Sequence, residues 1–118
     1  IYSVNLMAKW ILANGGVEAM AIRNAEKAQL IYDALDAAVP FTRPHARKQD
    51  RSLMNITFRL PTPELEEKFM AEGLKHGFDG MRGHRVTGGM RVSTYNACPR
   101  EGCVALAAYI KDFAAKNG

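Results

Sequence analysis

Apolar and polar residues alternate most regularly between Met54 and Leu60, where Met54, Ile56, Phe58 and Leu60 are separated by Asn55, Thr57 and Arg59. A period of two marks a strand with one buried face. The same period runs over Gly89–Tyr95. Met90, Val92 and Thr94 fall on one side, Arg91, Ser93 and Tyr95 on the other. Phe41–Pro44 reads as a third, short strand at a sheet edge, because Pro40 and Pro44 cannot donate to a ladder. Helical spacing fills most of the remainder. Ile1–Ala13 is apolar on more than one side, with Trp10 as a packing residue, and Asn14-Gly15-Gly16 stops it. Val17–Ala38 carries Met20, Asn24, Ala28, Ile31 and Leu35 in one stripe. Glu18, Arg23, Glu26, Lys27 and Asp33 then fall on its solvated face. Thr62-Pro63-Glu64 supplies a hydroxyl cap, a first-position proline and a first-turn acid for a helix with Leu65, Phe69, Met70 and Leu74 inward, ending at Gly77. Pro99 opens the last helix, with Cys103, Leu106, Ala107, Ile110 and Phe113 buried.

The predicted order is helix, helix, strand, strand, helix, strand, helix. Few strands and amphipathic helices give an α+β fold, a small and mostly antiparallel sheet covered by helices on one face. At 118 residues, with 47% apolar and 24% charged residues, one ordinary core is expected. The net charge of +4 permits an anionic partner without choosing one. His45–Arg51 reads as a basic surface loop. It lacks the interleaved aromatics of a single-strand nucleic-acid binder, so no nucleic-acid partner is expected. No apolar run is long enough to span a bilayer, and no membrane partner is expected. Cys98 and Cys103 have no metal-pair spacing and read as free thiols. No initiator Met is present and the chain opens inside a helical pattern, as a piece of a longer protein would.

The chemistry concentrates in Arg82-Gly83-His84-Arg85-Val86-Thr87-Gly88-Gly89-Met90-Arg91. Arginines at this density are costly to bury unless an anion meets them. The glycines let backbone approach a ligand or turn with positive φ. The segment is a candidate anion clamp; the plain alternative is a hairpin with solvated arginines. If Met90 and Val92 pack inward, Arg91 is displayed on the opposite face, where a ligand or a second domain could sit.

Order and spacing carry more than composition. Gly83-His84-Arg85-x-x-Gly88-Gly89-Met90-Arg91-x-Ser93-x-Tyr95-Asn96-Ala97 resembles the C-terminal segment of the phosphoserine aminotransferases, a family of class V, fold-type I pyridoxal-phosphate enzymes of serine biosynthesis. Lys9-Trp10, Asn14-Gly15-Gly16-Val17, Arg51-Ser52-Leu53-Met54-Asn55 and Glu101-Gly102-Cys103 extend the resemblance over nearly the whole chain. It implies the aminotransferase small-domain fold for residues 17–118, with 1–16 ending a helix of the large domain. It also implies that the large cofactor-binding domain is absent from this stretch. None of Lys9, Lys27, Lys48, Lys68, Lys75, Lys111 and Lys116 sits in a motif like the family's cofactor lysine loop. The resemblance therefore implies no catalytic, cofactor-binding or metal residue here, and no activity for these residues alone.

What the resemblance implies instead is substrate selection in a cytoplasmic homodimer. The substrates would be 3-phosphohydroxypyruvate with glutamate, giving phosphoserine and 2-oxoglutarate; some relatives also accept a phosphorylated hydroxyacid of vitamin B6 synthesis. Arg91 matches the family's α-carboxylate grip, and His84 and Arg85 match residues near the distal anion. The plainer alternatives are a backbone-bonded loop histidine at His84, a surface ion pair at Arg85 and a structural strand arginine at Arg91. Arg82 reads as a surface cation. A stand-alone module binding an amino acid or phosphate ester, and a structural dimerisation domain, remain the rival functions.

Overall fold

The strand with the cleanest alternation lies at the centre of the sheet. A computed structural model describes residues 1–118. Its elements are α1 (Tyr2–Ala13), α2 (Gly16–Ala37), β1 (Arg43–Pro44), β2 (Asn55–Arg59), α3 (Pro63–Lys75), β3 (Met90–Ser93) and α4 (Arg100–Asn117), with one 3-10 turn at Lys48–Asp50. The sheet runs β1-β2-β3 and is antiparallel throughout. Arg43 lies opposite Arg59, Thr57 opposite Arg91, and Asn55 opposite Ser93. No helix is long and apolar enough to cross a membrane.

The alternation predicted for β2 and β3 is realised residue by residue. Ile56, Phe58, Met90 and Val92 are buried in one cluster with Ala28, Ile31 and Leu35 of α2, Phe69 of α3, and Cys103, Leu106, Ile110 and Phe113 of α4. Phe69 is its hub, meeting Phe58 and Phe113 edge-on at ring-centroid distances of 5.8 and 5.0 Å. The Tyr109 hydroxyl donates to the Phe69 carbonyl at 2.7 Å. Helices thus cover one face of the sheet, and Arg59, Arg91 and Ser93 stand exposed on the other.

The helix boundaries follow the predicted chemistry. Gly15 takes φ 97° between α1 and α2, and Gly77 takes φ 87° after α3. Thr62 Oγ1 accepts from the Leu65 amide at 3.3 Å, with Pro63 as the first helical residue.

Two expectations need correction. Leu74 points outward, 58% exposed. The inner line of α3 runs through Glu66, Phe69 and Gly73 instead, because Gly73 leaves room for Met81, whose Cε would lie 2.6 Å from a Cβ there. α1 buries none of its residues and Trp10 is 36% exposed, so nothing among residues 1–118 tests its packing role. Arg51, read as part of a basic surface loop, is tied in. Its guanidinium lies 4.4 Å from the Tyr32 ring centroid and donates to both Asp36 oxygens at 2.9 and 2.6 Å.

The Arg51 hydrogen bonds hold the Asp36 carboxyl below the usual aspartate range, against a smaller opposing push from burial. A carboxyl with a depressed folded pKa binds fewer protons folded than unfolded. Its contribution is therefore complete above the ordinary aspartate range and is lost as pH falls through the folded value. Arg51→Ala should cost about 2 kcal/mol at about pH 7. In urea titrations that difference should shrink steadily below about pH 4. A difference that stays constant down to the acid limit would mean that the ion pair is not its source.

Candidate functional site

The site begins with side-chain parity. Met90 and Val92 face the core, so Arg91 and Ser93 face out, beside Asn55, Thr57 and Arg59 of β2. Asn55 Oδ1 accepts from the Ser93 and Tyr95 hydroxyls at 3.2 and 3.3 Å. The His45 amide donates to the Thr57 carbonyl at 3.0 Å, which sets that histidine at the β1 end of the same face.

The loop before β3 folds back onto this face. Gly83 donates to the Gly89 carbonyl at 2.9 Å, Gly88 to that of His84 at 2.7 Å, and Arg91 to that of Met81 at 2.8 Å. Two of its glycines are required twice over. Gly88 and Gly89 both take φ 68°, where other residues are strained. A Cβ on Gly88 would sit 2.8 Å from Arg59 Nη2, and one on Gly89 2.8 Å from the Phe58 carbonyl oxygen. The turn therefore lies directly against the Arg59 guanidinium.

Between loop and sheet is a groove of about 290 Å³, lined among others by His45, Thr57, Arg59, His84 and Arg91. Arg91 is exposed and takes no part in the chain's ion pairs. His84 Nδ1 accepts from the Val86 amide at 3.2 Å, so in the neutral ring the proton sits on Nε2, which remains a donor. That bond is the backbone role named as the plainer alternative for His84, and the lining position adds to it. Arg85 is exposed, lies outside the groove's lining and has no ion-pair partner. Arg82 forks onto Glu67 at 2.7 and 2.9 Å. The groove therefore gathers Arg91 and His84, and adds His45, Thr57 and Arg59, which sequence reasoning did not single out. Their signal was present: Thr57 and Arg59 are the polar positions of β2, and pairing with β3 puts them on the face of Arg91.

The groove offers guanidinium, imidazole and hydroxyl donors, an anion-binding set. It has no lysine in its lining, so it does not by itself fit the aldehyde of pyridoxal phosphate. Some of the basic residues elsewhere are paired. Arg47 pairs with Asp50, and Lys48 and Arg51 pair with Asp36.

Behind β3 lies the largest departure from expectation. Lys27, placed on the solvated face of α2, is 0% exposed. Its Nζ donates to the carbonyls of Tyr95 at 2.8 Å, Cys98 at 3.0 Å and, more weakly, Asn96 at 3.5 Å. Three ammonium hydrogens meet three carbonyls, of which only that of Tyr95 has another partner, the Cys98 amide at 2.9 Å. One turn away, Asn24 Nδ2 donates to Asn96 Oδ1 at 2.8 Å. Thr94 closes the other side, its hydroxyl donating to the Leu53 carbonyl at 3.0 Å. The segment carrying the chain from β3 to α4 is thus pinned to α2 and to the residues before β2.

Residues 1–106 match the family model described as aminotransferase class-V. The chain is 50% identical over 117 residues to the phosphoserine aminotransferase of Lysinibacillus sphaericus, covering 99% of this chain and 32% of that protein. With the enzyme of Geobacillus kaustophilus the identity is 49% over 113 residues, covering 96% and 31%. Among solved structures, the phosphoserine aminotransferase of Bacillus circulans subsp. alkalophilus superposes with a TM-score of 0.90 at 45% identity, over 93% of this chain and 30% of that one. The PLP-bound phosphoserine aminotransferase of Trichomonas vaginalis gives 0.81 at 35% identity, over 87% and 30%. The chain thus spans about a third of the length of the curated relatives it matches.

The buried ammonium can be tested apart from any relative. Lys27→Met keeps the aliphatic stem and removes every ammonium donor, leaving the Cys98 carbonyl unpartnered and that of Tyr95 with the Cys98 amide alone. Unfolding free energy should fall by about 2–4 kcal/mol. Amide exchange should speed up over residues 94–98 more than over the centre of β2. A variant as stable as wild type would show that the carbonyls are satisfied without it.

Proposed function

This chain belongs to the class-V aminotransferase family, and we propose that it supplies the substrate-gripping part of a phosphoserine aminotransferase. In this reading residues 17–118 form the small domain, and 1–16 end a helix shared with a larger, cofactor-binding domain of the full-length protein. The exposed apolar residues Tyr2, Val4, Leu6 and Leu12 of α1 support that division, since they lack a cover within these residues. So does the coverage of about a third of each relative.

The observation that carries the assignment is Arg91: exposed, without an acidic partner, and lining the same groove as His84. Its planar fork suits the α-carboxylate common to phosphoserine and glutamate, and two parallel bonds fix orientation as well as charge. His84, through Nε2, and Arg85 then meet the distal anion, the phosphate of one substrate or the side-chain carboxylate of the other. The pair of substrates would be 3-phosphohydroxypyruvate and glutamate, with phosphoserine and 2-oxoglutarate as products. Pyridoxal phosphate, held by the rest of the full-length enzyme, would supply the electron sink for moving the amino group. Residues of this chain contribute binding and alignment, and the enzyme works as a homodimer. A cytoplasmic location goes with the reading, and the unbridged thiols of Cys98 and Cys103 suit a reducing compartment.

In the full-length enzyme, Arg91→Ala should lower kcat/KM for phosphoserine and for glutamate alike, by about a hundredfold or more, because both lose the carboxylate partner. Arg85→Ala should act selectively, reducing kcat/KM for the phosphorylated substrate more than for an uncharged analogue. Steady-state kinetics on the two variants decide the matter. Values for Arg91→Ala within about twofold of wild type for both substrates would end the assignment.

A further inference from the structure

One pair in the sheet register is not explained by the groove just described. Arg43 on β1 and Arg59 on β2 are direct cross-strand partners. Like charges placed opposite one another destabilise an antiparallel pair. The only acid in contact is Glu66, and it reaches Arg59 alone, with Oε1 3.4 Å from Nε. That carboxylate is buried and also accepts the Leu60 amide at 3.2 Å. It orients Arg59 through Nε, and the Gly88–Gly89 turn lies against the guanidinium. The Arg59 Nη hydrogens and the whole Arg43 guanidinium have no protein acceptor among the chain's side-chain hydrogen bonds.

These two arginines and His45 line a second, open cavity of about 370 Å³ together with Pro44, Pro61, Pro63 and the Glu66 that Arg59 meets. It shares His45 and Arg59 with the groove that contains Arg91 and His84, so the two run into one another. We propose that Arg43, His45 and Arg59 form an anion site of their own, taking a phosphate group, at the outer end of the groove. A phosphate placed between the two guanidinium groups removes the like-charge cost and occupies donors that nothing else meets. The positioned fork of Arg59 favours a tetrahedral, multiply charged anion over chloride. The site depends on the sheet register and not on the role given to Arg91, so either assignment can fail without the other.

The test uses the full-length enzyme and inorganic phosphate as the probe, at constant ionic strength balanced with chloride, read by titration calorimetry and by melting temperature. Phosphate should raise the melting temperature of wild type and of Arg85→Ala. Arg43→Ala should weaken phosphate binding by about tenfold and remove most of that rise, and Arg43→Lys, which keeps charge but not the fork, should fall between. Arg43 is exposed on an edge strand and its side chain bonds to nothing, so these variants should retain the fold. Arg43→Glu gives a second check. It places opposite charges across the pair, and should stabilise the phosphate-free protein while abolishing its response to phosphate. Phosphoserine, titrated as competitor into Arg91→Ala, separates the sources. Competition identifies a site for phosphate monoesters in general, and its absence identifies free phosphate as the ligand; both outcomes support the site. Phosphate affinity within about twofold of wild type in both Arg43→Ala and Arg43→Glu would overturn the proposal. So would a response lost in Arg85→Ala and kept in Arg43→Ala, or no response beyond that of chloride.

Discussion

The arrangement rests on one buried ammonium. Removing Lys27 from water is tolerable because its hydrogens reach carbonyls of a single short stretch, Tyr95 to Cys98. Desolvating a cation costs several kcal/mol, and only a well-directed set of acceptors offsets it. The same contacts tie down a stretch that belongs to no helix or strand. β3 ends at Ser93, just ahead of Thr94, and α4 starts at Arg100, just after Pro99. Thr94, 1% exposed, fixes the near end through the Leu53 carbonyl. The register of β3 is therefore held at its C-terminal end by polar contacts and along its length by β2. Arg91 inherits that precision.

Covering a small sheet on one face only leaves the other face to be solved by charge. A half-open antiparallel sheet alternates apolar and polar residues along each strand. Here the outward positions carry Arg43, Arg59 and Arg91, with one acid, Glu66, against Arg59. Arg47, Arg51 and Arg82 each meet a carboxylate, whereas Arg23, Arg85 and Arg100 also stand outside the ion pairs. What sets the open sheet face apart is three arginines on neighbouring strands, beside the Gly88–Gly89 turn.

Much of this was legible in the chain, and the failures share a cause. Strand parity, helix order, the Thr62 cap and the stops at Gly15 and Gly77 depend on interactions within a few residues, and local pattern records them. Lys27 did not announce itself because a lysine in a helical pattern is ordinarily solvated. Its position, between Asn24 and Ile31 on the buried stripe, was nevertheless readable, and the residue type overrode the geometry. Arg51 was hidden for a different reason, since its partner Asp36 lies 15 residues earlier, across a turn that sequence does not fold for the reader. His45, Thr57 and Arg59 needed register as well as parity. The alternation placed Thr57 and Arg59 away from the core, but only the pairing of Thr57 with Arg91 put them in one groove. Leu74 was misassigned because Gly73, with no side chain to signal burial, took its place on the inner line of α3.

A groove lined by guanidinium, imidazole and hydroxyl donors, with no lysine among them, favours a division of labour. Binding energy gathered at groups remote from the reacting carbon accelerates a reaction only when it is used to position that carbon. An exposed arginine on a paired strand and a histidine on the adjoining loop would suit this role, because both segments are held by backbone hydrogen bonds. Alone, such a face should hold a small dianion weakly, since the cost of immobilising the ligand is offset by only two or three contacts.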